Sequence, residues 1–293
     1  MHLSTSLNVF ETEYPISSAI EKCKAAGFRR LDFNYWDHQK YVQKMSSAEE
    51  EKWAQTIRQA ADVNGVRFTQ MHGPVHGRAF NSMVAGLNVD SFLELAKRSL
   101  KTAQTLGVSW VVFHPSMISE EGHETHKEVT NYNYEFFQHL FPTMEATGVG
   151  IALENMISRL QGTKKYCSDP AELVELIDRL NHPLVGACWD TGHGHVSSFE
   201  QEKSIKLLGH RLKATHIQDN DGNKDQHFLP YHGTINWDKV MQSLREVHYT
   251  NDFTYEVAQA IRVVPKEIRD TALDYASKIG KYLIKLEKGV SQQ

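Results

Sequence analysis

The stretch GACWDTGHGHV, residues 186–196, places an acid and an imidazole at the end of an apolar, strand-like run. Asp190 closes the run, and His193 follows three residues later between two glycines, which leave little bulk around both side chains. Carboxylates and imidazoles are common ligands of divalent transition metals, but glycines beside Asp are equally typical of an ordinary turn. A metal site and a turn both fit this stretch, and the remaining chain has to decide between them.

The same kinds of residue recur at the ends of five other strand-like runs. The six candidates, in the segments MHGP, FHPS, ALEN, CWDTGH, ATHIQD and TYEV, are His72, His114, Glu154, Asp190, His216 and Glu256. Within each run, the residues at every second position from the candidate are mostly small or polar, whereas the residues at the positions between them are mostly bulky and apolar. Because successive side chains of a strand point to opposite faces, we expect the apolar set to face helices and the candidates to meet in one place.

Such convergence would crowd the carboxylates of Glu154, Asp190 and Glu256 into one mouth. Two like charges about 4 Å apart repel by roughly 4 kcal/mol at an effective dielectric constant of about 20. A divalent cation would relieve this repulsion, and so would protonation of one acid. Carboxylates with imidazoles suit Mn, Co, Zn or Fe better than they suit a soft thiolate metal. We therefore predict a site for a divalent metal (Mn, Zn or Co), with one ion as the simplest case and up to three allowed.

A long segment after the seventh run supplies further candidates. DNDGNKDQHFLPYHGTINW, residues 219–237, has no helical periodicity until Trp237, and structureless loops of this length are usually functional. It contains Asp225-x-His227, and both side chains could reach an ion if the segment folds over the mouth. A second metal or substrate-binding group is therefore predicted from five residues: His72, His114, His193, Asp225 and His227. Trp36, at the end of the second run, is predicted to form a wall of the substrate site.

The elements that must position these residues alternate along the chain. Eight strand-like runs begin near residues 2, 29, 66, 110, 150, 185, 212 and 252, and helical patterns lie between them. Ser47 and Glu50 have the spacing of a capping box, and Asp169 with Pro170 has the pattern of a cap followed by a first-turn proline. We predict one α/β domain over residues 1–293, a (β/α)8 TIM barrel of eight parallel strands with outer helices. Its core would span about 2–287, followed by a short polar tail. An open doubly wound sheet is less favoured because no Gly-rich nucleotide turn follows an early strand.

Composition excludes several classes of protein. The 293-residue chain has a net charge of −4 with acids and bases well mixed, so a nucleic-acid partner is not expected. No apolar run is long enough for a membrane span, and the first residues do not resemble a secretory signal. The three cysteines are far apart in sequence, which suits a reducing compartment. We therefore expect a cytoplasmic protein, and a homo-oligomer is compatible with the sequence.

With these motifs, the chain resembles the xylose isomerase-like TIM-barrel superfamily over nearly its whole length. The resemblance is to its sugar phosphate isomerase/epimerase family and, more distantly, to endonuclease IV-type AP endonucleases. In the sugar epimerases a set matching Glu154, Asp190-x-x-His193, His216 and Glu256 holds one divalent metal. The chain departs from the family at 231–233, where Tyr-His-Gly replaces the usual Pro-Gly-x-Gly. It also lacks the arginine expected after the histidine of the seventh strand.

The resemblance implies a metal-dependent isomerase or epimerase of carbohydrate metabolism, acting on a sugar, sugar phosphate or polyol ketone through an enediolate. Glu154 and Glu256 would be its catalytic acid and base. Lys164, Lys165, Arg78 and Arg159 are candidates for holding a phosphate, although all four are also ordinary loop charges. The alternative is a multi-metal hydrolase or lyase, an endonuclease IV-like phosphodiesterase or an inosose dehydratase-like enzyme. The three-zinc pattern of the endonuclease IV-type enzymes has a matching residue at every position in this chain: His72, His114, Glu154, Asp190, His193, His216, Asp225, His227 and Glu256.

Overall fold

Eight parallel β-strands form the centre of the computed structural model, which describes residues 1–10, 14–76, 89–118, 123–158 and 165–287. The strands are β1 (His2–Ser6), β2 (Arg30–Asn34), β3 (Arg67–His72), β4 (Trp110–Phe113), β5 (Gly150–Glu154), β6 (Val185–Asp190), β7 (Leu212–His216) and β8 (Asp252–Tyr255). Each begins within one residue of a predicted start. Their order in the sheet is β7-β6-β5-β4-β3-β2-β1-β8.

The sheet closes on itself just beyond the last residue of β7. Ile217 forms a parallel bridge with Tyr255 of β8. The Ile217 amide donates to the Thr254 carbonyl at 2.8 Å, and the Glu256 amide donates to the Ile217 carbonyl at 3.1 Å. These contacts join the first and last strands of the sheet order, which confirms the predicted (β/α)8 barrel.

Helices connect successive strands around the outside of this barrel. They are α1 (Ile16–Ala25), α2 (Tyr35–Val42), α3 (Ser47–Asn64), α4 (Val89–Leu106), α5 (His126–Gln138), α6 (Phe141–Thr147), α7 (Pro170–Leu180), α8 (Thr191–Val196), α9 (Gln201–Leu208), α10 (Trp237–Glu246), α11 (Ala258–Arg262) and α12 (Arg269–Glu287). Two helices, where one was expected, follow each of β2, β4 and β6. The predicted tail after residue 287 lies outside the described residues, and none of the described helices is long and apolar enough to cross a membrane.

The predicted alternation of side chains separates two cores. The bulky set packs outward into the main hydrophobic core, with Phe113, Leu153, Trp189 and Phe253 among its members. The small set forms a separate cluster inside the barrel, made of Val112, Ala152, Cys188 and Ala214. At the carboxyl ends of the strands, the side chains at inward-facing positions must therefore lie at the mouth of the barrel. The six candidates occupy such positions and so lie at the same end of the barrel.

The capping box of α3 lies one residue earlier than predicted. Ser46, not Ser47, accepts a hydrogen bond from the Glu49 amide, and Glu49 accepts one from the Ser46 amide at 2.7 Å. Glu50 cannot serve because it is buried, where it accepts hydrogen bonds from Tyr35 and Thr102 and pairs with Arg98. The predicted cap of α7 is confirmed: Asp169 accepts from the Ala171 amide, and Pro170 begins the helix.

The shift in the capping box gives a direct test of this part of the fold. Ser46→Ala removes a cap, and we expect the free energy of unfolding to fall by about 1 kcal/mol. Ser47→Ala is the matched control, because its exposed side chain makes no cap bond, and it should change stability by less than about 0.5 kcal/mol. Urea denaturation measures both variants, and a larger loss for Ser47→Ala would contradict the observed cap.

Candidate metal centre

Four of the predicted side chains meet at the mouth of the barrel. One ligand atom from each of Glu154, Asp190, His216 and Glu256 lies within 4.8 Å of the others. Glu154, Asp190 and His216 are at most 1% exposed, and the side chain of Glu256 is 15% exposed. Adjacent strands bring them together, since Asp190 pairs in register with His216, and Glu154 with the residue two before Asp190.

Asp190 is held by both its backbone and its carboxylate. Its amide donates to Asn155 Oδ1 at 2.6 Å, and its carbonyl accepts from Asn155 Nδ2 at 3.0 Å. One carboxylate oxygen accepts the His193 amide at 2.7 Å and so caps α8. The other, Oδ2, is buried and has no hydrogen-bond partner in the described part of the chain. The turn of the opening stretch is thus present, because one carboxylate oxygen makes it, and the other oxygen is left as a candidate ligand.

This donor set fits a divalent transition metal. Three carboxylates and one imidazole nitrogen supply hard and borderline ligands, and the orphaned Asp190 oxygen is the kind of buried polar atom that an ion would satisfy. Cys188 lies within the same 4.8 Å of Glu154 and His216. Burial raises the pKa of its thiol to about 12, which leaves it a small side chain of the inner core.

The two glutamates have opposite protonation tendencies. Burial alone would raise the pKa of Glu154, but the imidazoles of His216 and His114 hold it well below its ordinary value. Burial raises the pKa of Glu256 to about 7, with Glu154 and Asp190 acting in the same direction, against the pull of His216 and His227. Two carboxyl groups whose pKa values are driven apart are the usual arrangement of an acid and a base.

Two predicted histidines form a second group that shares Glu154. His114 Nε2 lies 3.1 Å from Glu154 Oε2 and 3.2 Å from His72 Nε2. The other nitrogen of His72 lies 3.0 Å from the Gly73 carbonyl, to which it donates. Burial, together with the neighbouring His114, lowers the pKa of His72 to about 3. His72 is therefore neutral, and its Nε2, in contact with His114 Nε2, is a candidate metal ligand at the mouth.

The remaining three predicted residues form a third group on the opposite side. His193 Nε2 and His227 Nε2 lie 3.6 and 3.1 Å from Asp225 Oδ2. His193 Nδ1 contacts the Asn155 carbonyl at 2.9 Å, and His227 Nδ1 contacts the Glu256 carbonyl at 2.8 Å. The nine residues of the predicted multi-metal pattern thus lie in three adjoining groups, and all but the fully buried Asp190 and His216 line one cavity.

Asp219 holds the long loop in place, a role that sequence reasoning missed. Its carboxylate accepts hydrogen bonds from the amides of Tyr231 and Ile235, at 3.0 and 3.1 Å, and from the Trp237 indole at 2.8 Å. A Cβ on Gly233 would lie 2.3 Å from the Asn220 carbonyl and from Asp219 Oδ1, so only glycine fits there. The departure at 231–233 therefore still gives an ordered loop that carries Asp225 and His227 over the mouth.

The cavity above these groups has a volume of about 560 Å³. Trp36 lines it as predicted, with its ring edge-on to His72. Lining residues that the sequence did not single out are the polar His76 and Ser116 and the apolar Val75, Pro115, Met117, Met156 and Ile157. Of the four phosphate candidates, Lys165 lines the cavity, whereas Arg78, Arg159 and Lys164 lie outside the described residues.

Comparison with known proteins places this architecture in a family. The model of the xylose isomerase-like TIM barrel matches residues 20–280. The chain belongs to this family. Two curated relatives, both uncharacterized proteins, are 30% identical over 173 residues (Sinorhizobium fredii) and 26% identical over 205 residues (Methanocaldococcus jannaschii). These matches cover 57% and 68% of the chain, and the chain spans only 52% and 65% of the two relatives.

Solved structures of other proteins share the fold along almost the entire chain. A D-tagatose 3-epimerase-like protein superimposes with a TM-score of 0.77 at 20% identity, covering 99% of both chains. D-psicose 3-epimerase with D-fructose gives 0.74 at 17%, covering 97% and 99%. The IOLI protein with a bound zinc atom gives 0.71 at 18%, covering 98% of each. At identities of 20% or less, these similarities establish that the chain has the same barrel fold, and nothing further.

The contacts of Asp219 predict the behaviour of the loop. Asp219→Ala removes the acceptor of both amides, at a cost of about 1–3 kcal/mol for the buried amide of Ile235, so the amides of Tyr231 and Ile235 should exchange with deuterated water markedly faster. The matched control is Asp221→Ala, which removes an exposed turn contact to Asn223. Hydrogen–deuterium exchange, measured on proteolytic fragments of each protein, compares both variants with the wild type. Equal protection of residues 231–235 in wild type and Asp219→Ala would contradict this role.

Proposed function

We propose that the protein is a divalent-metal-dependent isomerase or epimerase of a sugar, sugar phosphate or polyol ketone. The observation that carries the proposal is the pair Glu154 and Glu256, a buried and a partly buried carboxylate of different basicity that face one cavity and belong to the same group as Asp190 and His216. The names of structural neighbours support this reaction class, since those proteins are a D-tagatose 3-epimerase-like protein and a D-psicose 3-epimerase.

Glu154, Asp190, His216 and Glu256 would hold the cation. When bound, a divalent cation supplies Lewis acidity that lowers the pKa of a C–H group next to a carbonyl. The zinc of the IOLI protein supports metal binding in this type of barrel. The residues themselves favour Mn, Zn or Co through their mixed oxygen and nitrogen donors.

Proton transfer would be the work of the two glutamates. One carboxylate removes the proton from the carbon beside the carbonyl to give an enediolate, and the other returns a proton to the opposite face or the neighbouring carbon. Their unequal pKa values suit these two roles, because His216 and His114 hold the pKa of Glu154 well below its ordinary value, whereas burial raises the pKa of Glu256 to about 7.

The walls of the cavity would select and orient the substrate. Trp36 would offer an aromatic ring against which sugar C–H groups pack. His193, whose Nδ1 lies 3.4 Å from Glu154 Oε1, would form a hydrogen bond with a substrate oxygen. The volume of about 560 Å³ suits a small molecule. Lys165 and His76, which both line the cavity, would provide donors for a hydroxyl or a phosphate.

Solvent exchange tests the proton transfer. Wild-type protein loaded with Mn²⁺ should catalyse the incorporation of deuterium from D₂O into a ketose substrate, at the carbon next to its carbonyl. Glu256→Gln should slow this exchange by at least about 10²-fold, while Glu200→Gln, an exposed acid on the outer surface, should leave it unchanged. NMR of recovered substrate gives the readout, and absence of exchange across a panel of ketoses, ketose phosphates and inosose-type ketones would refute the isomerase assignment.

A second function, hydrolysis or lyase chemistry on a multi-metal cluster, is favoured by one specific observation. A single-metal isomerase needs neither the His72–His114 pair nor the His193–Asp225–His227 group as ligands, yet both adjoin Glu154 or Glu256. Such a cluster would activate water for attack on a phosphodiester or assist loss of a hydroxyl.

Metal stoichiometry separates the two functions. We expect one tightly bound ion per chain, lost in Glu154→Gln and retained in His227→Ala, when metal is counted by mass spectrometry after gel filtration. Two or three ions per wild-type chain, with fewer in His227→Ala, would favour the multi-metal hydrolase or lyase instead.

A further inference from the structure

Asp32 is a buried acid inside the barrel that neither the sequence motifs nor the proposed reaction uses. It lies on β2 directly after an irregularity in pairing with β3, between Leu31 and Asp32, and it is 0% exposed. Bulges of this kind re-aim a side chain. Here the carboxylate lies below the metal centre, among residues of the inner layer.

The neighbours of this carboxylate are few and weakly bonded. Gln70 Nε2 approaches Asp32 Oδ2 at 3.4 Å, and Gln70 in turn accepts from Thr254 Oγ1 at 3.4 Å. The second oxygen, Oδ1, has no hydrogen-bond partner among the described residues. A buried carboxylate with so little compensation is costly to the fold, so its presence calls for a stronger interaction than Gln70 provides.

His216 supplies the complementary group. Its Nδ1 faces the proposed metal centre, 3.1 Å from Glu154 Oε1 and 3.7 Å from Glu256 Oε2. Its Nε2 points away from the centre, lacks a hydrogen-bond partner in the described chain, and lies 3.6 Å from Asp32 Oδ2. The His72 ring lies parallel to this imidazole, with the ring centroids 5.5 Å apart and the planes 8° apart.

We propose that Asp32 is a positioning residue that accepts the Nε2 proton of His216 and thereby presents Nδ1 as the metal ligand. The inference rests on the proposed metal centre. Histidine ligands commonly donate their second N–H to a carboxylate, which fixes the tautomer and ring orientation and strengthens the ligand. In this chain the Nε2 donor and the Asp32 acceptor lie 3.6 Å apart, and the His72 ring lies parallel to the imidazole.

Metal affinity of the purified full-length protein tests this role. Zn²⁺ titrated in competition with a chromophoric chelator should bind Asp32→Asn about 10- to 100-fold more weakly than wild type. Thr254→Val is the matched control: it removes a hydrogen bond from the same inner layer, to Gln70, without touching His216, and its affinity should equal that of wild type. Equal affinities of Asp32→Asn and wild type, or an equal loss in Thr254→Val, would overturn the inference.

A second measurement uses the wild-type protein and does not depend on whether a variant at position 32 folds. In ¹⁵N-histidine-labelled wild type with Zn²⁺, the His216 resonance should show a proton on Nε2 and the metal-ligand shift on Nδ1, with assignment from its loss in His216→Gln. A proton on Nδ1 would overturn the role of Asp32 while leaving the metal centre intact. Failure of the wild type to bind any divalent metal would overturn the centre itself, and this inference with it.

Discussion

The structure depends on keeping three carboxylates and their imidazole partners close together at the mouth of a barrel. Glu154, Asp190 and Glu256 would repel one another strongly where little water screens them. The chain compensates with histidines in direct contact, above all His216 and His114 beside Glu154. Burial and these imidazoles together shift the pKa of each glutamate. The Asp190 Oδ2, which has no hydrogen-bond partner among the described residues, is an atom that the proposed cation would bind.

The remaining elements serve to hold that charge balance in place. Parallel strands bring their carboxyl ends to one rim, which gathers residues up to 184 positions apart in sequence, from His72 to Glu256. Asn155 ties the end of β5 to the end of β6 through two hydrogen bonds with Asp190. Asp219 performs the equivalent task for the long loop after β7. The same buried acids that cost stability in isolation thus become fixed points of the rim.

The fold and most of the site could be predicted from the sequence because both follow from local patterns. Strand alternation separated inward from outward side chains, and the six strand-end residues followed from it. Asp32 and Asn155 escaped prediction because their roles depend on atoms of neighbouring strands, which no local pattern reveals. The alternation would have placed Asp32 inside the barrel, but the partner across it, His216, lies 184 residues away. The capping box shifted to Ser46 and Glu49 because tertiary contacts with Tyr35, Arg98 and Thr102 take Glu50 into the core.

The most direct measurement of the central claim is anomalous diffraction from crystals grown with Zn²⁺, recorded on both sides of the zinc absorption edge. The account predicts a peak at the barrel mouth, about 2.0–2.3 Å from His216 Nδ1 and from a carboxylate oxygen of each of Glu154, Asp190 and Glu256. A zinc-bound protein whose anomalous peaks all lie elsewhere, with these four side chains turned apart, would contradict it.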